Sequence, residues 1–223
     1  MKNCPCSWES NKPDARREAA EYSSVSTKTF YNIEGFCMTS SLHRFQELSA
    51  LADAQAGYFT AAQALNLGYS YPTQHHHAQQ GSWQRTRHGL YRLSTYPLSP
   101  YEHLAELSLW SRNRQGEAQA VVSHHTALAF HELSDLLPEQ IHLSVPRGFR
   151  KVAPPGVQLH TNEIPVADQQ TQHGFQVTSV LRTLQDMVST DLSSELLDQA
   201  IDQAVERGMI SPLQARDLNR EKG

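Results

Sequence analysis

Apolar and polar positions set no regular pattern over residues 1–37, which show neither the helical period nor strand alternation. This stretch is expected to be a loosely ordered extension, and Met38 is a candidate natural start. Thr39-Ser40-Ser41 reads as a helix N-cap cluster. From there Leu42, Phe45, Leu48, Leu51 and Ala52 fall on one helical face. Gly57 ends that helix, and Tyr58-Phe59 is a short extended piece. Thr60 caps a second helix, Ala61 to Leu67, which stops at Gly68. Ser70-Tyr71-Pro72-Thr73 opens a third helix with Pro72 in its first turn, where a missing N–H costs little; it runs to about Gln80. Trp83–Thr86 and Leu90–Leu93, joined through Arg87-His88-Gly89, read as a β-hairpin.

Past the proline-bearing linker Tyr96–Pro100 the pattern becomes mixed. Tyr101 to Arg112 is predicted helical, Ala120–Val122 a short buried piece, and Ser123 the cap of a helix through Leu133. Ile141–Val145, Val157–His160 and Phe175–Val177 alternate like strands. Thr178 or Ser179 caps a helix to about Val188. Ser193 or Ser194 starts a long helix with Leu196, Leu197, Ile201 and Val205 inward, stopped by Gly208; a short helix follows from Pro212. The expected fold class is therefore α+β. An extension over 1–37 precedes a winged helix-turn-helix over 38–96, and a mixed α/β C-terminal domain fills 97–223.

Three helices and a hairpin within about 50 residues is the order of a winged helix, whose third helix enters the DNA major groove. Thr73, Gln74, His75, His76, Gln79 and Gln80 give that helix uncharged hydrogen-bonding side chains; Gln pairs in bidentate fashion with adenine. Arg85, Arg87, His88 and Arg92 are the candidate contacts of the hairpin to phosphates or the minor groove.

Charge sharpens this assignment. The whole chain carries a net −4, yet residues 70–93 hold three arginines and no Asp or Glu. Residues 176–223 carry five Lys/Arg against eight Asp/Glu. An anionic partner is drawn to the first half and repelled by the tail. The three cysteines, Cys4, Cys6 and Cys37, all precede the patterned region, which suits a reducing compartment. No apolar run reaches the roughly 20 residues that span a bilayer, so a cytoplasmic, membrane-free protein is expected. Three consecutive helical histidines, His75-His76-His77, point about 100° apart and cannot converge on one metal. His124, His125 and His131 read as packed or exposed residues of a capped helix. Arg182 and Asp186 stand four apart, as an ordinary ion pair does. No metal, cofactor or catalytic residue is expected, since no phosphate-binding loop, nucleophile elbow or paired CxxC occurs.

Several segments, in order, resemble the AbiEi-type antitoxins of type IV toxin–antitoxin systems. They are Gly57–Ala64, Trp83–Leu93, Val122–Leu128, Ile141–Arg147, Val157–His160 and Val177–Asp186. The resemblance implies a winged helix that binds inverted repeats in its own promoter and represses the operon. It also implies a second domain needed to neutralise a nucleotidyltransferase-like toxin, with or without direct contact. On that reading Ser123, His124, Arg147, Arg182 and Asp186 serve the antitoxic role. The groove-facing helix has little positive charge, which favours two copies on one operator over a lone monomer. The residues also leave open an enzyme acting on nucleic acid or nucleotides, and a protein-interaction module.

Overall fold

A computed structural model describes residues 27–134, 138–190 and 192–222, with side chains from Ser40 onward. Residues 1–26 of the expected extension, with Cys4 and Cys6, lie outside the described residues. The first helix, α1, spans Thr27–Asp53. It starts well before the expected cap, so Thr39-Ser40-Ser41 sits inside it. Backbone contacts divide the chain within this helix, between Glu47 and Leu48. On the first side Leu42 is 58 % and Phe45 52 % exposed; the expected apolar face is thus buried only from Leu48.

From Leu48 onward the fold begins with a small three-stranded antiparallel sheet of order β1-β3-β2. Its strands are β1 (Tyr58–Thr60), β2 (Trp83–Arg87) and β3 (Leu90–Leu93). Helices α2 (Ala61–Asn66) and α3 (Tyr71–Gln79) lie between β1 and β2 in sequence. Local chemistry fixes both helices. Thr60 and Gln63 form a reciprocal capping box at α2, and Ser70 caps α3 with Pro72 in the first turn. Leu48, Ala52, Phe59, Ala64, Tyr69 and Trp83 form the core of this segment. Phe59 meets Trp83 edge-on at 4.8 Å, a favoured aromatic geometry. Gly57 turns the chain at φ +89°, and a Cβ there would stand 2.6 Å from the Tyr96 ring. Only glycine meets both demands cheaply.

The remainder is a five-stranded mixed sheet with helices around it. The strands are β4 (Val121–Val122), β5 (Ile141–Val145), β6 (Val157–Thr161), β7 (Gln169–Gln172) and β8 (Phe175–Thr178), in the order β6-β5-β4-β8-β7. Pairs β5/β6 and β4/β8 are parallel, whereas β4/β5 and β7/β8 are antiparallel. Strand β7 is too polar and exposed to have shown alternation, and sequence reading missed it. Helix α4 (Glu102–Trp110) covers one face through Leu104 and Leu107, against Val122, Leu143, Val145 and Val177. Helices α5 (His124–Phe130), α6 (Val180–Val188), α7 (Ser194–Glu206) and α8 (Pro212–Glu221) share a second core around Leu128, Leu184, Met187, Ile201 and Leu218. The fold is mixed α+β with two sheets. Among the described residues no helix is long and apolar enough to cross a membrane.

Candidate functional site

Two groups of side chains merit a functional reading, and the first is the face of α3 with the β2–β3 hairpin. In α3 the inward stripe is Gln74, His77 and Ala78, at helical i, i+3, i+4 spacing. Thr73, His75, His76, Gln79 and Gln80 are exposed. Gln74 leaves the set of groove contacts: it is 1 % exposed, and its Nε2 donates to the Tyr69 and Ala61 carbonyl oxygens at 2.8 and 3.0 Å. It cross-links α3 to the first residue of α2 and to the loop between α2 and α3. His77 is the one member of the histidine run that packs. It stacks on Trp83 with ring centroids 4.7 Å apart, and burial pushes its pKa down.

The hairpin arginines part company. Arg85 and His88 are exposed. Arg87 is half-buried, and its Nε donates to Glu106 Oε1 of α4 at 2.8 Å. Arg92 is 5 % exposed and cannot reach a phosphate without unfolding its surroundings. Its Nη2 donates to the Tyr96 and Pro97 carbonyls at 2.8 and 3.1 Å and lies 3.4 Å from the Glu102 carboxylate. The reason is the sheet order. Strand β3 is central, Tyr91 turns to the Phe59–Trp83 core, and Leu90 packs with Tyr58 and with Leu109 of α4. Buried beside Glu102 and Glu106, the Tyr58 hydroxyl has its pKa pushed up to about 12.

A second group gathers where β5, β6, α5 and α6 meet. Strand alternation turns Ile141, Leu143 and Val145 to the α4 side and His142 and Ser144 to the opposite face. The parallel register sets Ser144 beside His160. His142 Nδ1 and His160 Nε2 are 2.9 Å apart, and the His124 and His160 rings stack at 3.7 Å. His125 lies 5.0 Å from His142 by ring centroids. Ser144 Oγ donates to Ser123 Oγ at 2.8 Å, and Ser123 Oγ is 2.9 Å from His124 Nδ1. Ser123 therefore makes no side-chain cap bond to α5, contrary to the capping expected of it. On α6, Arg182 Nε donates to Asp186 Oδ1 at 2.8 Å.

Burial holds the rings neutral. It pushes His124 down to about 3, aided by His160, His142 and His125, and His142 down to about 4, aided by His125 and His160. His125 and His160 are lowered by burial as well, with Asp186 opposing at His160. Burial raises Asp186 against the opposing pull of Arg182. Among the described residues no group of three His, Cys, Asp or Glu could hold a metal ion. Of the residues read from sequence for the antitoxic role, Ser123, His124, Arg182 and Asp186 belong to this cluster. Arg147 stands on the exposed turn after β5 and shares none of these contacts. His142 and His160 were missed: alternation in Ile141–Val145 sets His142 on the face opposite Leu143, but only the β5/β6 pairing brings His160 to it.

Residues 46–94 match the family model described as a transcriptional regulator, AbiEi antitoxin. The matched segment begins in the last turns of α1 and ends one residue past β3, so it takes in α2, α3 and the hairpin. The antitoxin-regulator resemblance read from the sequence is thus matched over this segment. No curated protein matches the chain.

Proposed function

We propose that the chain is a DNA-binding transcriptional autorepressor and antitoxin of the AbiEi type. Residues 38–96 act as a winged helix-turn-helix, and residues 97–223 supply the antitoxic part. This division is one of roles. The carrying observation is that the matched segment presents an α3 face of exposed, uncharged polar side chains beside the exposed Arg85 and His88. In the proposed mode Thr73, His75, His76, Gln79 and Gln80 read base edges, while Arg85, His88 and a released Arg87 meet phosphates. The site is an inverted repeat in the chain's own promoter, occupied by two copies in the cytoplasm. The functional partner is a nucleotidyltransferase-like toxin. Ser123 is fully buried, so we read the histidine cluster as architecture that shapes the antitoxic half, with Arg147 as an exposed contact.

The test is a gel shift of the chain on DNA from upstream of its own reading frame across a salt series. Affinity is expected to fall with salt, and Arg85→Ala to reduce the slope of log affinity against log salt by about 1. Gln79→Ala is expected to cost about 1–3 kcal/mol on the cognate fragment and little on unrelated DNA. No binding at low salt, or binding undiminished in both variants, would overturn the DNA reading. Co-expression with the neighbouring toxin tests the antitoxic reading separately.

A further inference from the structure

Between the hairpin turn and the loops that follow α4 and β5 lies a cleft of about 720 Å³. Arg87 and His88 enter it from the turn, Arg112 and Arg114 from the end of α4, and Lys151 from the loop after β5. No Asp or Glu lines it, although the chain as a whole is net negative. A second concavity that shares Arg112, Arg114 and Lys151 also takes in Arg150 and again has no acidic wall.

Two of these cations are held in place without a carboxylate beside them, Arg112 half-buried and Lys151 at the exposed side. Arg112 is half-buried; its Nη2 donates to the neutral Gln55 Oε1 at 2.5 Å, and its Nε is buried with no partner. Lys151 Nζ donates to the Trp110 and Arg112 carbonyls at 2.6 and 2.7 Å. Desolvation, partial at both, pulls both pKa values down with no counter-charge to oppose it. Arg114 stands exposed at the rim and makes no ion pair among the described residues. An anion that reaches a half-buried guanidinium without a counter-charge offsets its desolvation.

We propose that this cleft binds a phosphorylated small molecule of the nucleoside di- or triphosphate class. The phosphates lie on Arg112, Arg114 and Lys151. Trp110 offers an aromatic surface to the base, and Asn66, Asn113 and Gln115 supply amides for its edge or the sugar. The volume falls within the range of about 300–1,000 Å³ common for small-ligand sites. A duplex backbone is met by groups that protrude, as Arg85 does. Arg112 and Lys151 are instead held against Gln55 and backbone carbonyls inside the concavity. Because Arg87 and His88 belong to both surfaces, nucleotide and DNA binding are coupled, each altering the other by the same factor. The coupling rests on the DNA-binding reading above; the binding of nucleotide does not.

Isothermal titration of the full chain with ATP, GTP, inorganic pyrophosphate and adenosine tests the proposal. Saturable binding of a triphosphate is expected, with no binding of adenosine. Arg114→Glu, an exposed position that folding does not need, should weaken it tenfold or more, as should Arg112→Gln. Absence of saturable binding of ATP, GTP and pyrophosphate at millimolar concentration would overturn the site, as would affinity unchanged by Arg114→Glu. A chain whose Arg114→Glu variant loses only DNA affinity, with no nucleotide bound by either form, also overturns it and makes the cleft a DNA contact. A chain that binds nucleotide but no DNA sinks the regulator reading and leaves the site standing.

Discussion

Gln74 and Gln79 sit five residues apart on one helix and are chemically identical, yet burial separates their roles. Gln74 satisfies the carbonyls of Ala61 and Tyr69 inside the fold, whereas Gln79 faces solvent. Gln74→Ala is therefore expected to destabilise the fold by about 1–3 kcal/mol, because it orphans buried carbonyls. Urea denaturation reads this loss, and Gln79→Ala should leave the midpoint unchanged. The histidine cluster makes a pH prediction. Each ring has a folded pKa below its ordinary value of 6.5, so between the two values the unfolded chain binds more protons. The stability that the neutral rings contribute is complete above pH 6.5. It drains as pH falls toward about 4 for His142 and about 3 for His124. Asp186 acts in the opposite sense, since its raised pKa favours the folded state as acid is added. Melts from pH 8 to 4 should show the loss starting below 6.5, and His142→Gln should flatten the slope by at most about 1.4 kcal/mol per pH unit. A stability that stays level from neutral to acid pH would show that the rings are not held neutral by burial.

At the level of elements, β3 serves two layers. One face completes the Phe59–Trp83 core and the other rests on α4, so a hairpin that looks like a free wing in sequence is clamped along half its length. The clamp includes Arg87–Glu106, which occupies the guanidinium nearest the turn. Glu106→Gln removes the charge that would compete with phosphate for Arg87 in the proposed DNA complex. It is expected to raise DNA affinity severalfold at low salt and to leave the fold intact, as gel shift and melting together will read. An unchanged affinity would remove Arg87 from the DNA contacts.

At the scale of the molecule, the junction between α1 and β1 is tied to the five-stranded sheet. Gly174, in the turn between β7 and β8, has φ +84°, and a Cβ there would lie 2.6 Å from Gln55 Cα. Gln55 in turn bonds the Tyr58 carbonyl, Gln63 and Arg112. Gly174→Ala combines backbone strain with overlap against main chain, which does not give way as a side-chain tip would. A loss of about 2–3 kcal/mol is expected. It should lower one shared unfolding transition, seen equally by tryptophan fluorescence and by far-UV circular dichroism. Two separated transitions would show that the segments do not unfold together.

The sequence by itself determined the elements from Leu48 onward and their order, the polar strand β7 excepted, because caps, glycine stops and periodicity act over a few residues. Thr60, Ser70, Ser179, Ser193 and Ser211 all accept the bonds that start their helices. It also made the α3 face and the Arg85–His88 turn legible, since three helices and a hairpin leave those positions on the outside. Tertiary structure alone decided which polar side chains are buried. Arg92 is covered because α4, ten residues on, packs over β3. Gln74 is covered because it bridges to α2's first residue, and His142 meets His124 and His160 only once β5, β6 and α5 assemble. Likewise the cleft of Arg112, Arg114 and Lys151 exists only where distant loops converge. Burial and uncompensated charge are properties of neighbours brought together in space, and the local pattern of a chain does not encode who those neighbours are.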